Sequence, residues 1–144
     1  MEKKEIHQWK KILLEDLESV ATELKSLIDQ RAVIIFEGEV GVGKTTFTQK
    51  LIGMSASPTY SLIHEVGDCV HADFYRLDDD EEIIDLDIEL YLEDKKIVVI
   101  EWGMKHIQAL TRFIDDHYPV FLLEIERPDN QQEYRNFSLS KLLL

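Results

Sequence analysis

Cysteine, proline and glycine are scarce: the 144 residues include one, three and six of them, respectively. The single cysteine, Cys69, excludes an internal disulfide bond, and we interpret it as a core residue. Apolar runs are short, since stretches such as residues 32–36 and 120–123 fall far below the ~20 residues of a membrane-spanning helix. The opening residues, MEKKEIHQWKK, lack the apolar stretch of a secretory signal peptide. We therefore expect a cytoplasmic protein without a membrane segment.

Positive charge is also in short supply, with 16 Lys and Arg against 29 Asp and Glu and a net charge of −13. Proteins that bind nucleic acid draw most of their affinity from cationic side chains that neutralise phosphates. This composition therefore argues against direct nucleic-acid binding. Ten acids and no base lie in residues 78–94, DDDEEIIDLDIELYLED, which we interpret as a solvated helix face rather than a docking surface. The one basic cluster is interpreted as a soluble terminus rather than an RNA contact: Lys3, Lys4, Lys10 and Lys11.

The hydrophobic pattern alternates between helix and strand signals. Apolar residues at helical spacing predict a helix over residues 17–28, with Asp16 as its N-cap. The run AVIIF, residues 32–36, is apolar on both faces and too short for a helix, as in a central strand of an α/β sheet. Residues 10–14 fit either a short strand or an extra helical turn, and the pattern does not decide between them.

The rest of the chain continues this alternation. Gly67 and Asp68 form a two-residue link whose leading glycine suits a type II′ hairpin turn between two strands. No internal repeat or linker is visible, so we expect one domain over residues 1–144. The remaining predicted helices are 45–52, 81–92 and 104–116, and the remaining predicted strands are 61–66, 69–74, 96–101, 120–126 and 133–140.

The segment GEVGVGKT, residues 38–45, matches G-x-x-x-x-G-K-[S/T] and lies between a predicted strand and a predicted helix, the context that this P-loop motif requires. Its glycines let the main chain curl around a phosphate with several N–H groups pointing inward. Lys44 is expected to reach the β- and γ-phosphates, and the Thr45 hydroxyl to bind Mg²⁺. We predict a P-loop NTPase-like three-layer α/β sandwich on a mixed sheet. The predicted nucleotide-binding residues are Gly38, Glu39, Val40, Gly41, Val42, Gly43, Lys44, Thr45 and Thr46.

Two acidic residues at predicted strand ends are candidates to hold the metal shell and order the attacking water. Glu101 ends the apolar run KIVVIE, where open α/β sheets bind ligands, and it is the first choice. Asp73 ends the second strand of the hairpin and is the second candidate. His71 shares a strand face with Asp73, which permits a hydrogen bond between them.

The nucleotide is predicted by exclusion. The only asparagines are Asn130 and Asn136, and neither is followed by lysine as in the guanine-specific N-K-x-D segment. The chain has five arginines, of which Arg76 alone is near a motif in sequence, which disfavours a kinase with an arginine-rich lid. ATP with Mg²⁺ is therefore expected. Two alternatives stay open: a phosphotransferase acting on a small metabolite, and a nucleotide-gated binding module with negligible hydrolysis.

Four segments occur in one order: GEVGVGKTTF, SPTYSL, HADFYRL and VVIEWG. Together they resemble the TsaE family, formerly called YjeE, over about residues 16–126. The resemblance implies an ATPase that supports synthesis of N6-threonylcarbamoyladenosine at position 37 of tRNA. It implies that ATP binding and hydrolysis drive a cycle on the TsaB–TsaD heterodimer, with tRNA involved only indirectly through that complex.

The resemblance also implies roles for single residues. Thr59 in SPTY resembles a switch threonine near the γ-phosphate and Mg²⁺, and Asp73 and Glu101 match the family's two functional acids. Trp102 matches the aromatic of the EW pair, with a stacking or partner-gating role weighed against simple packing. Arg76 is either an electrostatic finger or the partner of local acids or of the heterodimer.

Four departures from the family pattern stand out. Glu39 replaces the usual Asp after the first P-loop glycine, and Gly103 stands where proline is common after EW. Asp87 stands where a glycine is often found after the YRL segment. The segment between the P-loop helix and SPTY is shorter than usual, so the approach of Thr59 to the nucleotide is expected to differ.

Overall fold

The computed structural model of this protein describes residues 2–28, 31–39, 41–53, 62–114, 118–129 and 132–144. Within these ranges, seven strands form one sheet: β1 (Glu2–Ile12), β2 (Ala32–Glu37), β3 (Ile63–Val66), β4 (Cys69–Asp73), β5 (Ile97–Glu101), β6 (Val120–Glu126) and β7 (Arg135–Leu143). The order across the sheet is β1-β7-β6-β2-β5-β4-β3. The strand that is apolar on both faces, β2, therefore lies at the centre, as its sequence predicts.

The sheet contains both parallel and antiparallel pairs. β2 runs parallel to β5 and β6, and β4 runs parallel to β5. The pairs β3–β4, β6–β7 and β1–β7 are antiparallel. Between β3 and β4, Gly67 has a φ of +59° whereas Asp68 does not have a positive φ, as a type II′ turn requires. The predicted mixed sheet with an antiparallel hairpin is confirmed.

Helices cover the sheet on both faces. On one side, α1 (Leu17–Leu27) and α2 (Lys44–Ile52) pack on Ile34 and Phe36 of β2. On the other side, α3 (Asp80–Asp85), α4 (Glu89–Leu92) and α5 (Ile107–Leu110) pack in the cluster that contains Val33 and Ile35. These four β2 side chains are fully buried, so the two cores share one strand and the predicted three-layer sandwich is confirmed. None of the helices in the described ranges is long and apolar enough to cross a lipid bilayer.

The first strand is much longer than the sequence indicates. Residues 10–14 end the eleven-residue strand β1 and begin a 3₁₀ turn over Leu14–Asp16. Trp9 is the only buried residue of β1, so the strand carries almost no local hydrophobic signal. It forms because it pairs with β7 along the edge of the sheet. The predicted capping by Asp16 is wrong: Asp16 occupies the N-cap of α1, but its side chain makes no capping hydrogen bond.

The predicted helix over residues 81–92 is two helices, α3 and α4, separated near Asp87, which has a φ of +52°. In one continuous helix, Ile83 and Ile88 would point about 140° apart. The interruption allows both to be buried, with 0% and 2% of their surface exposed. The predicted helix over residues 104–116 extends past the described residues at 115–116, and in its described part a 3₁₀ turn over Met104–His106 is followed by α5, which ends at Leu110.

Candidate nucleotide-binding site

The predicted site residues converge at one edge of the sheet. Phe36 of β2 and Asp73 of β4 are both paired in register with Glu101 of β5, so the carboxyl ends of three parallel strands meet there. The loop between β2 and α2 leaves the sheet at the same edge. Together these elements enclose a cavity of about 350 Å³, lined by Gly41, Gly43, Lys44, Thr45, Thr46, Asp73, Tyr75, Glu101 and Trp102.

The loop itself depends on glycine at two positions. A Cβ atom at Gly38 would lie 2.6 Å from the carbonyl oxygen of Ile125 and 2.8 Å from Cγ1 of Val42, so no other residue fits without displacing the backbone. Gly43 has a φ of +110° at the N-cap of α2, a conformation that side chains disfavour. The first amides of α2 are thereby placed at the loop, where helix N-termini attract anions.

Lys44 is buried inside the loop, with 5% of its surface exposed. Its ammonium group donates a hydrogen bond to the carbonyl oxygen of Gly38. Burial lowers the pKa of Lys44, whereas the nearby carboxylates of Glu101, Glu37 and Asp73 act in the opposite direction. A desolvated cation held among backbone amides is suited to bind an anion.

Glu101 is the most enclosed acid of the site, with 2% of its surface exposed. Its Oε2 lies 2.5 Å from Nε2 of His71, and the Thr45 hydroxyl donates to its two carboxylate oxygens over 3.4 and 3.3 Å. His71 is also buried, at 3% exposure, and its Nδ1 has no hydrogen-bond partner in the described part of the structure. The structure thus connects a P-loop hydroxyl, a strand-end carboxylate and an imidazole in one continuous set of contacts.

Asp73 is more open than Glu101 and is half-buried. Its Oδ1 accepts a hydrogen bond from the backbone N–H of Tyr75 at 3.0 Å. The hydrogen bond between His71 and Asp73 that their shared strand face permits does not form, because the imidazole instead contacts Glu101 on the neighbouring strand. Asp73 therefore lines the cavity with a carboxylate that has further acceptor capacity.

Trp102 follows Glu101 in a left-handed conformation with a φ of +63°. The centroid of its ring lies 3.6 Å from Nζ of Lys44, a cation–π contact, and 5.1 Å from the ring of Tyr75. Trp102 is half-buried and also packs against the core, and its stacking or partner-gating role stays a prediction. Arg76 is exposed and forms no ion pair with the described residues. Val40 and Thr59 lie outside the described residues.

Sequence reasoning missed two arginines at the loop. Nη2 of Arg127 donates to the carbonyl oxygen of Gly41 at 2.9 Å, and Nε of Arg135 donates to that of Val42 at 2.8 Å. They lie 86 and 93 residues after those glycine-loop positions, so no local pattern connects them with the motif. Burial lowers the pKa of Arg135, and the charge of Arg127 lowers it further. The two guanidinium groups therefore stand close enough to repel each other.

A second and larger cavity of about 540 Å³ opens on the other side of the loop. It shares Gly41, Gly43 and Thr46 with the first cavity. Its other walls come from the end of β1, the turn into α1, the loop itself and the chain that leads into β7, namely Ile12, Leu13, Leu14, Glu15, Leu17, Val42, Gln132, Glu133, Arg135 and Phe137. The loop therefore separates two cavities, and the larger one has mixed walls of aliphatic, aromatic and polar side chains.

The side chains present fit a magnesium–nucleotide complex. No group of three or more His, Cys, Asp and Glu that could enclose a metal occurs in the described ranges. Magnesium in nucleotide sites needs only one or two carboxylates, because phosphate oxygens and waters complete its coordination. Thr45, Glu101 and Asp73 supply one hydroxyl and two carboxylates beside Lys44. Their roles in binding remain predictions.

The family model of the threonylcarbamoyl adenosine biosynthesis protein TsaE matches residues 13–136. Curated relatives named tRNA threonylcarbamoyladenosine biosynthesis protein TsaE include one from Bacillus subtilis, 30% identical over 106 residues, and one from Nostoc sp., 37% identical over 115 residues. The first match covers 67% of this chain and 66% of the relative, and the second covers 68% and 70%.

A solved structure supports the fold independently. The crystal structure of Bacillus subtilis YdiB superimposes with a TM-score of 0.70, covering 99% of this chain and 89% of YdiB at 19% sequence identity. At that identity the likeness concerns the fold alone, and it agrees with the mixed α/β sheet described above. The family match extends over most of the chain and includes the glycine loop, both strand-end acids and Trp102. This chain therefore belongs to the TsaE family of threonylcarbamoyl adenosine biosynthesis proteins.

Proposed function

We propose that this protein is a Mg²⁺-dependent ATPase that supports N6-threonylcarbamoyladenosine modification of tRNA. In this proposal, ATP binding and hydrolysis cycle the TsaB–TsaD heterodimer, and tRNA is contacted only through that complex. The observation that carries the proposal is the convergence of Lys44, Thr45 and Glu101 on a loop that admits only glycine at position 38. The TsaE family membership adds the link to tRNA modification.

The phosphates are assigned to the smaller cavity. There the loop amides and the first turn of α2 supply N–H donors, and Lys44 supplies a positive charge. The ammonium of Lys44 now uses a carbonyl oxygen as its acceptor, and it retains further donor capacity for a phosphate oxygen. An anion at this position would offset the desolvation that lowers the pKa of Lys44.

Bound Mg²⁺ would neutralise part of the phosphate charge, and Thr45, Glu101 and Asp73 are the residues that would hold it. His71 keeps the carboxylate of Glu101 in place through a buried contact. A carboxylate held beside the loop can orient a water molecule for in-line attack. Since phosphoryl transfer requires little covalent chemistry from the protein, these residues would act by positioning and by electrostatic stabilisation.

The nucleoside is assigned to the larger cavity. Its volume of about 540 Å³ lies within the range of small-ligand pockets. The aliphatic side chains and Phe137 in its mixed walls suit a flat base, and its shared border with the first cavity at Gly41, Gly43 and Thr46 suits one ligand that spans both. This arrangement favours a nucleoside triphosphate over inorganic polyphosphate as the physiological ligand.

One observation favours the nucleotide-gated module as the second candidate. The Lys44 ammonium is occupied by the Gly38 carbonyl and is covered by the ring of Trp102. A nucleotide that displaces these contacts would change the surface around Trp102, which a partner could recognise without hydrolysis. In that case ATP would set the shape of the protein, and turnover would be negligible.

Phosphate release separates the two candidates. It is measured from Mg·ATP with the purified protein, alone and with the TsaB–TsaD pair, and Lys44→Ala serves as the blank. Lys50→Ala is the matched control, because Lys50 lies in the same helix but is exposed. We expect release by the wild-type protein and by Lys50→Ala, stimulation by the pair, and none from Lys44→Ala. ATP binding without release in either condition would favour the module, and wild-type turnover by Lys44→Ala would refute the assigned site.

A further inference from the structure

Two arginines from the β6–β7 hairpin hold the outer side of the glycine loop. Arg127 donates to the carbonyl oxygen of Gly41 and Arg135 to that of Val42. Arg135 is itself fixed, because Nη1 donates to the carbonyl oxygens of Gln132 at 2.6 Å and Tyr134 at 2.8 Å. In the described part of this acidic chain, neither arginine forms an ion pair with a carboxylate. Their polar contacts are with backbone carbonyls instead.

The peptide groups that these arginines hold lie next to glycines that permit more than one orientation. Val42 lies between Gly41, with a φ of +81°, and Gly43, with a φ of +110°. Glycine populates positive and negative φ almost equally, so the sequence alone does not determine which way the peptide planes on either side of Val42 face. A hydrogen bond to one carbonyl oxygen selects one of these orientations.

The two arginines orient different backbone N–H groups. In a planar trans peptide, the carbonyl and the following N–H point in opposite directions. Because Arg127 holds the carbonyl of Gly41, the N–H of Val42 faces the other way, and it donates within the loop to the carbonyl oxygen of Glu39 at 3.1 Å. Because Arg135 holds the carbonyl of Val42, the N–H of Gly43 points away from Arg135, next to the first amides of α2.

We propose that Arg135 is a positioning residue for phosphate binding, which acts through the Val42 carbonyl to orient the Gly43 amide, with Arg127 in a supporting role. The proposal rests on the assignment of polyphosphate to the loop. The two guanidinium groups donate to the carbonyl oxygens of consecutive residues, so an anion in the loop would reduce the repulsion between them.

The test compares two ligands, ATP and inorganic tripolyphosphate, whose dissociation constants are measured by calorimetry. The variants are Arg135→Gln, Arg135→Lys and Arg127→Gln. Arg112→Gln is the control, since Arg112 is exposed. We expect Arg135→Gln to weaken the binding of both ligands by about the same factor, ~10-fold or more. This is the size expected for the loss of a charge-assisted hydrogen bond. Arg127→Gln should have the smaller effect, and Arg112→Gln none. Arg135→Lys should recover binding only in part, because an ammonium lacks the planar donors of a guanidinium.

Other results would overturn the proposal. Loss of ATP affinity with unchanged tripolyphosphate affinity would mean that Arg135 contacts the nucleoside. Full recovery in Arg135→Lys, or an equal effect of Arg127→Gln, would mean that only net charge matters. If Arg135→Gln does not fold, Arg135→Lys and Arg127→Gln still distinguish these cases. A wild-type protein that binds both ligands but releases no phosphate would refute the ATPase and leave this inference intact, whereas failure to bind either ligand would refute both.

Discussion

Substitution of His71 tests the energetics of the site most directly. The His71 and Glu101 side chains are 4% and 3% exposed, and their Nε2 and Oε2 atoms are 2.5 Å apart. Removal of one partner from a buried pair leaves the other desolvated and uncompensated, which costs about 3–5 kcal/mol. We therefore expect His71→Leu to lower the free energy of unfolding by that amount, although leucine has a similar volume.

The size of the thermal effect follows from the length of the chain. At about 2.1 cal/mol/K per residue, 144 residues give an unfolding entropy of about 0.3 kcal/mol/K. The expected loss of stability thus lowers the midpoint of thermal unfolding by roughly 10–17 °C. His7→Leu is the matched control, since His7 and Glu23 lie 3.2 Å apart but are 41% and 48% exposed. An exposed pair contributes at most about 1 kcal/mol.

A double-mutant cycle isolates the interaction from the rest of the substitution. Glu101→Leu and the double variant His71→Leu with Glu101→Leu complete the cycle, and urea denaturation measures each stability. We expect the double variant to be more stable than the sum of the single effects by at least about 1.5 kcal/mol, within the range for residues in contact. Additivity within about 0.5 kcal/mol would refute the buried pair.

Three further predictions concern other parts of the molecule. Gly38→Ala should lower stability by about 1–3 kcal/mol by urea denaturation, because its Cβ would overlap the Ile125 carbonyl; unchanged stability would contradict the close approach. Burial raises the pKa of Glu37, although the hydrogen bond from the Met104 N–H acts in the opposite direction. The contribution of Glu37 to stability is therefore complete at acid pH and is lost as the pH rises through the folded-state pKa. The stability of Glu37→Gln relative to wild type should therefore increase as the pH rises above 4.5, the ordinary pKa of a glutamate, and a constant difference would oppose this reasoning. Burial also raises the pKa of the Cys69 thiol, so iodoacetamide should react slowly with the native protein and faster in urea, and equal rates would show an accessible thiol.

The buried strands could be predicted from the sequence because each forms a local run of apolar residues. Residues 32–36, 96–101 and 120–126 agree with β2, β5 and β6 to within one residue, since a strand buried on both faces must be apolar throughout. β1 gives no such signal because most of it is exposed. Its pairing partner, β7, lies at the other end of the sequence. The break between α3 and α4 also depends on long-range packing, because it allows both Ile83 and Ile88 to be buried in the core.

The candidate site also contains features with a local sequence signal and features without one. Lys44, Glu101 and Asp73, which the P-loop motif and the strand ends single out, line the same cavity, because a contiguous motif and parallel strands fix their relative positions. The contacts of His71 and Arg135 were not predicted, because each depends on side-chain directions across elements far apart in the chain. For His71, the sequence offered one signal: a histidine on the inward face of a strand, beside a catalytic candidate. For Arg135, the sequence offered no signal.

The pairing of β1 with β7 also affects how the protein is made. Ile12 and Arg135 are paired although 123 residues separate them. At about 5–20 residues per second, a ribosome needs roughly 6–25 s to synthesise that interval. During translation, β1 therefore remains unpaired until β7 has been synthesised, whereas the central strands can already assemble. A premature stop before residue 135 would leave both that strand and the outer edge of β6 unpaired, so a loss at the end of the chain would also release its beginning.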